Sequence, residues 1–273
     1  MGALHDGHLA LVARARRENA SVVASIFVNP LQFGPNEDFQ TYPRTFERDA
    51  ELLEGSGADL LYAPAPERMY LPNFATSIAV GPVGETYEGA RRPGHFGGVA
   101  TVVVKLLHAI EPTSLYLGQK DAQQTAVVRA MIRDLDMATN VVVVPTIRET
   151  DGLALSSRNV YLTAAERAAA PSIYRALCAI ARAVDGGARD VAALLAAGGA
   201  LLEAPLVWDY LAIVDPVSFA PCGPVAVPAL TLGVARAGKT RLLDNVPIAD
   251  ASGVLPIVTP ERAAGFSAER SRR

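Results

Sequence analysis

Cysteine is nearly absent: Cys178 and Cys222 are the only two among 273 residues. So few, with no CxxC or zinc-type spacing, exclude a disulfide framework and a Cys-based metal site. Long apolar runs are also missing, because the most continuous one, Val99 to Ile110, is too short for a span and carries Lys105. Charge of one sign is not in excess either. With 25 Lys and Arg against 28 Asp and Glu, the net charge is −3, and nothing electrostatic favours nucleic acid or an anionic membrane as partner. Small anions must therefore be met by local groups. No secretory leader pattern is visible, which together with the cysteine usage predicts a cytoplasmic chain. The single tryptophan, Trp208, reads as core rather than ligand.

What is present is a large apolar complement. Half the residues are hydrophobic, and a chain of 28.7 kDa with mean hydropathy +0.22 has room for one or two folded domains. The chain opens Met1-Gly2-Ala3-Leu4-His5-Asp6-Gly7-His8 and runs at once into a helical pattern, Leu9 to Glu18. Two histidines at a helix N-terminus, with Gly7 admitting a ligand close to the backbone, suit an anion such as phosphate. The same stretch also reads as Asp6 capping a helix beside two ordinary histidines. A zinc site at His5 and His8 lacks a third ligand at a recognised spacing.

Further on, Ser21 to Val28 is a β-branched run of the kind buried in parallel sheets. Asn29 and Gln32 follow its carboxyl end, where open α/β sheets bind ligands. Thr45 to Leu53 reads as a helix and Asp59 to Tyr62 as a strand. A Gly- and Pro-rich segment from Ala63 to Gly98 contains a strand-like Thr76 to Val80 and Arg91, Arg92 and His95, which suits a binding loop over a phosphate-bearing ligand as well as plain loop positioning. Helix Val99 to Ile110, strand Ser114 to Leu117, helix Thr125 to Leu135 and strand Asn140 to Thr146 complete an alternation that predicts a doubly wound parallel sheet. Beyond it, Thr163 to Val184 and Asp190 to Leu202 are Ala-rich helices. Tyr210 to Val214, Ala229 to Val234 and Thr240 to Asp244 predict a small antiparallel sheet. The expected divisions are 1–146, 147–249 and a disordered tail, 250–273.

MGALHDGH resembles the nucleotide-binding signature of the pantothenate synthetase family, which is related in fold to HIGH-motif nucleotidyltransferases and class I aminoacyl-tRNA synthetases. SIFVNPLQFGPNEDFQTYPR (25–44), RRPGHFGGVATVVVKLL (91–107), LGQKDAQQ (117–124) and RETDGLALSSRN (148–159) match in the family's order and spacing, with WDYLAIVDP and TRLLDN weaker. The resemblance implies a Rossmann-like, nucleotide- and pantoate-binding domain over 1–146, and a smaller α+β domain closing over the site. It further implies ATP contacts from Met1, Gly2, Ala3, Leu4, His5, Asp6, Gly7 and His8, then from Gly118, Gln119, Lys120 and Asp121, and from Ile147, Leu155, Ser156, Ser157 and Arg158. His5, His8, Lys120 and Arg158 are the implied catalytic residues, and Gln32 and Gln124 the implied pantoate and β-alanine contacts. Leu117 stands where the family usually has Phe, and Leu155 where it usually has Met. Asp49 sits near the family's substrate and magnesium positions, but Arg48 replaces a residue that is acidic in some relatives, so a solvated helix charge is an equal reading for Asp49.

By the same resemblance pantoate attacks the α-phosphorus of ATP, and β-alanine then displaces AMP from pantoyl adenylate, with Mg2+ assisting and a homodimer expected. The carboxylate nucleophile is ionised at neutral pH and needs no base. Another nucleotidyltransferase is disfavoured by the two glutamines. Family members carry a helix and a strand ahead of the MGALH turn, so the sheet is expected to lack its first strand. Met1 is accordingly expected to be internal to a longer protein, or this form to be poorly stable and weakly active, even an inactive ATP-binding homologue.

Overall fold

The computed structural model describes residues 2–35, 37 and 39–248. Met1 and the expected tail lie outside the described residues. The chain forms two compact units, one of residues up to Gly118 plus Gln123–Val144, the other of Gln119–Ala122 plus everything described from Pro145.

In the first unit, helix α1 (Asp6–Glu18) leads to strand β1 (Val23–Ser25), helix α2 (Phe46–Gly55) and strand β2 (Leu60–Tyr62). β1 and β2 pair in parallel with Val23 opposite Leu60. After the short helices α3 (Pro66–Met69) and α4 (Glu88–Arg91) come helix α5 (His95–Ile110), strand β3 (Ser114–Gly118), helix α6 (Ala122–Asp134) and strand β4 (Asn140–Val144). β3 and β4 are also parallel, Ser114 opposite Asn140. Alternation along β3 divides its side chains between two layers. Leu115 and Leu117 pack with Val99, Leu107, Val128 and Met131 of α5 and α6. Tyr116 joins Val12 and Ala15 of α1, Leu53 of α2 and Leu61 of β2.

The expected single sheet is therefore found as two separate parallel pairs, with Tyr116 and the β1–β2 residues sharing one apolar cluster. Thr76 to Val80 is not a strand. Its apolar side chains Ile78 and Val80 pack against the α5–α6 cluster, and the Ile78 amide donates to Thr101 Oγ1 at 3.1 Å, so no partner strand is needed to satisfy that amide.

The second unit continues with helices α7 (Ala164–Ala169), α8 (Pro171–Asp185) and α9 (Val191–Gly199), then strands β5 (Val207–Val214), β6 (Ala229–Ala237) and β7 (Thr240–Ile248). The expected helix over 163–184 is broken in two because Pro171 has no N–H to continue it and instead starts α8 at its first turn. Thr163 and Glu166 form a capping box at the start of α7. The three strands form an antiparallel sheet in sequence order. α8 lays Ile173, Leu177, Ile180 and Val184 against Ile213, Ala235, Leu242 and Val246. Trp208 packs at the edge of this core and donates Nε1–H to Gly199 O at 3.0 Å.

Of the ion pairs within that unit among the described residues, the most deeply buried joins Arg148 to Asp244. Arg148 binds Asp244 through both carboxylate oxygens, at 2.5 and 2.8 Å, with each side chain 5 % exposed. Its Nη1 also donates to Gly152 O, and its guanidinium lies 3.8 Å from the Tyr174 ring centroid. Removing one partner leaves the other charge buried and unpaired. Asp244→Ala should therefore cost about 3–5 kcal/mol, read as a lower urea midpoint. Arg148→Met combined with Asp244→Leu should recover most of the loss, and a double variant no better than the single would show that the pair is not the cause.

Candidate active site

The glycine-led turn before α1 is held from below by one carboxylate. Asp49 is completely buried and accepts the amides of Ala3 and Leu4 at 2.8 and 2.9 Å, with Thr45 Oγ1 at 3.1 Å. Ala3 sits at φ 54°, a left-handed conformation an L residue seldom adopts unless its surroundings impose it. A Cβ on Gly2 would lie 3.2 Å from Pro43 O. The solvated reading of Asp49 is thus corrected: both of its oxygens are engaged by the turn. The alternation of charge and apolar residue in α2 gave no sign of this, since the amide partners are about 45 positions away.

His5, not Asp6, caps α1. Its Nδ1 accepts the Gly7 amide at 3.1 Å, and His8 Nδ1 accepts the His5 amide at 3.3 Å, closing a capping box. The two rings lie 4.2 Å apart. A ring nitrogen that accepts from a backbone N–H cannot itself carry a proton, so each neutral imidazole is protonated at Nε2. In that tautomer Nε2–H is a hydrogen-bond donor, the form able to meet an anion. Asp6 is exposed on the first turn.

Beyond β1, a 3-10 turn at Pro30–Gln32 is capped by Asn29, whose Oδ1 accepts the Leu31 amide at 3.2 Å. Asn29 is 2 % exposed, donates Nδ2–H to Gly98 O and to Gln32 Oε1, and accepts from Tyr70 OH at 2.8 Å. The bond to Gln32 Oε1 orients that amide, with the donor Nε2 at its other end. A Cβ on Gly98 would come within 2.2 Å of Leu31 O, so only glycine lets α5 approach the turn. Arg92 and His95 are engaged by other side chains and backbone of the first unit. Arg92 grips both Glu37 oxygens at 2.7 and 2.6 Å, and His95 is buried against Gln32 O.

The paired glutamines separate. Gln123 is buried and pins the preceding segment, donating to Val83 O and Thr86 O and accepting the Glu88 amide. Gln124, its neighbour in the first turn of α6, is only partly buried. Neighbouring glutamines look alike in sequence, and helix phase alone does not say which one the chain needs for packing.

In the second unit the turn Gln119–Asp121 carries Lys120. Asn245, 3 % exposed, donates Nδ2–H to Gln119 O at 3.0 Å and Lys120 O at 2.8 Å, and its Oδ1 accepts from Gln119 Nε2 at 2.9 Å. Ile147 and Leu155 face each other in a tight hairpin, Leu155 N donating to Ile147 O at 3.0 Å. Gly152 turns it at φ 98°, where a Cβ would also meet Tyr174 at 2.7 Å. Ser156 then caps the 3-10 turn Ser157–Tyr161 that bears Arg158. Gly118 ends β3 in the first unit. Among the described residues no three His, Cys, Asp or Glu side chains converge as a metal cluster, and no helix is long and apolar enough to cross a membrane.

Comparison with known proteins agrees with this arrangement of motifs. The family model described as pantoate-beta-alanine ligase matches residues 1–247. A pantothenate synthetase of Chloroflexus aurantiacus is 52% identical over 248 residues, covering 90% of this chain and 88% of the relative. One from Thermus thermophilus is 53% identical over 251 residues, covering 91% of each. A crystal structure of pantothenate synthetase from Thermus thermophilus superposes with TM-score 0.88 at 52% identity, covering 91% of both chains. A Francisella tularensis pantoate-beta-alanine ligase, complexed with beta-gamma ATP and beta-alanine, gives TM-score 0.72 at 35% identity over 90% of this chain and 86% of that one. With its α/β architecture of parallel strand pairs and a small antiparallel sheet, the chain belongs to the pantoate–β-alanine ligase family.

Proposed function

We infer that the protein is an ATP-dependent, AMP-forming amide ligase that condenses pantoate with β-alanine. The observation that carries the reading is the family match over residues 1–247 at about half identity to curated relatives. In the first step a pantoate carboxylate oxygen attacks the α-phosphorus and pyrophosphate leaves. In the second, the β-alanine amine attacks the acyl carbon, AMP leaves and the amine's proton is lost. Neither step needs a covalent enzyme intermediate. The protein's task is to orient anions and to stabilise charge on phosphate oxygens.

Within that reading, Gly2 to His8, Gly118 to Asp121, Ile147 and Leu155 to Arg158 are the ATP contacts. His5 and His8 donate Nε2–H to phosphate oxygen, Lys120 and Arg158 add positive charge, Ser156 and Ser157 add hydroxyls, Gly118 and Asp121 hold the ribose, and the Ile147 backbone meets adenine. Met1 is carried over by resemblance alone. Gln32 and Gln124 select pantoate. Asp49, with both oxygens on turn amides, does not fit as a magnesium ligand. Mg2+ fits instead as a companion of the ATP phosphates, a common way for this ion to reach phosphoryl-transfer sites.

The first unit, with its helices on both sides of β3, fits a doubly wound nucleotide and pantoate domain interrupted between β1 and β3, and the second a smaller α+β domain. Cytoplasmic location and a homodimer complete the proposal, the latter checked by light scattering. AMP release with pantoate and β-alanine omitted in turn tests the reaction. Pyrophosphate release independent of pantoate would favour another nucleotidyltransferase, and ATP binding without turnover an inactive homologue.

Gln124→Ala should raise the pantoate KM by about tenfold, as expected for one hydrogen bond lost from a polar ligand, and leave the ATP KM nearly unchanged. Gln123→Ala, which frees the segment around Val83 and Thr86, should instead lower the melting temperature. A larger change in ATP KM than in pantoate KM for Gln124→Ala would remove that residue from the acid pocket.

A further inference from the structure

We propose that His95 is a positioning residue for Gln32, acting as a neutral Nδ1–H imidazole that clamps the Gln32 backbone and is itself fixed by Arg92 and Glu37. The inference rests on the assignment of Gln32 to pantoate. Gln32 O can only accept, so the 2.8 Å contact requires the proton on His95 Nδ1. The other nitrogen, Nε2, lies 2.9 Å from Arg92 Nη1, which can only donate. Both ring nitrogens are thus assigned by partners whose roles are not interchangeable.

Arg92 is in turn held in bidentate contact by Glu37. Burial and the adjacent Arg92 charge hold His95 below the ordinary histidine range, while Gln32 O, Glu37 and Glu88 oppose this. Protonation at Nε2 would remove the acceptor that Arg92 uses and set two cations side by side. On the opposite side of the same turn, Asn29 Nδ2 donates to Gln32 Oε1. Gln32 is therefore constrained at its backbone by His95 and at its side chain by Asn29, which aims Nε2–H as the donor. The tautomer is the reverse of that at His5 and His8.

His95→Leu should raise the pantoate KM about tenfold, the scale of one lost hydrogen bond, with the ATP KM changed less than about twofold. His95→Asn places an amide N–H near the position of Nδ1 and should restore most of the loss. With four histidines in the chain, long-range 15N NMR of the 273-residue protein reads the tautomer directly. Expected is one neutral Nδ1–H ring that disappears in His95→Asn. An Nε2–H signature at that ring, an Asn variant no better than Leu, or ATP and pantoate KM rising together would overturn the proposal. The NMR experiment stands even if His95→Leu fails to fold. Gln32→Ala separates the two levels: if it raises the pantoate KM while His95→Leu does not, only the positioning role falls. If Gln32→Ala leaves that KM unchanged, the pantoate assignment and the inference fall together.

Discussion

His8→Ala should slow pantoate-dependent pyrophosphate release by about two to three orders of magnitude, the usual effect of losing one preorganised donor to a developing charge. The geometry separates this from a folding effect. His8 has two roles on one ring: Nδ1 accepts the His5 amide at the helix cap, and Nε2 carries the proton proposed for phosphate. Losing the cap costs about 0.5–2 kcal/mol of stability, which a melting curve reports. His8→Asn can keep an acceptor for the His5 amide but has no group that reaches as far as Nε2–H. It should therefore melt near wild type and still lose most of the rate. If either variant keeps most of the wild-type rate, His8 has no part in adenylation.

Lys120→Ala should lower adenylation by about two to three orders of magnitude and raise the ATP KM as well, because a point charge on a transferring phosphate acts in the bound and transition states alike. Folding should survive. The turn that carries Lys120 is held through its backbone carbonyls by Asn245, so truncating the side chain does not release the loop. Asn245→Asp supplies the complementary test, since a carboxylate cannot donate to those two carbonyls. It should disturb ATP use with Lys120 still present. A Lys120→Ala enzyme with unchanged ATP KM and unchanged AMP release would refute the phosphate contact.

Several residues were legible in sequence only as types. RETDGLALSSRN marks a nucleotide block by resemblance, yet Arg148 at its head is buried on Asp244, 96 positions away. Arg92 and His95 suit a phosphate-bearing ligand in a Gly- and Pro-rich loop, and the structure instead commits them to Glu37 and Gln32, 55 and 63 positions distant. Asp6 suits an N-cap by residue preference, but His5 takes the position because its Nδ1 reaches the Gly7 amide and His8 reaches back. Thr76 to Val80 alternates like a strand, since period two says only that one side is buried, not what buries it.

The local signals were enough for the four long helices of the first unit, its parallel strands, the antiparallel sheet and the family, but not for the short helices α3 and α4. Helical and extended periodicity, Pro and Gly at element ends, and contiguous motif blocks are all written within a few residues. Tertiary structure alone decided which polar groups hold the scaffold. Asp49 and Gln123 are structural, whereas their near neighbours in the chain keep other exposures. A carboxylate or an amide is the same residue whether it faces water, a ligand or a buried backbone N–H. Only long-range packing determines which of those partners is within about 3 Å.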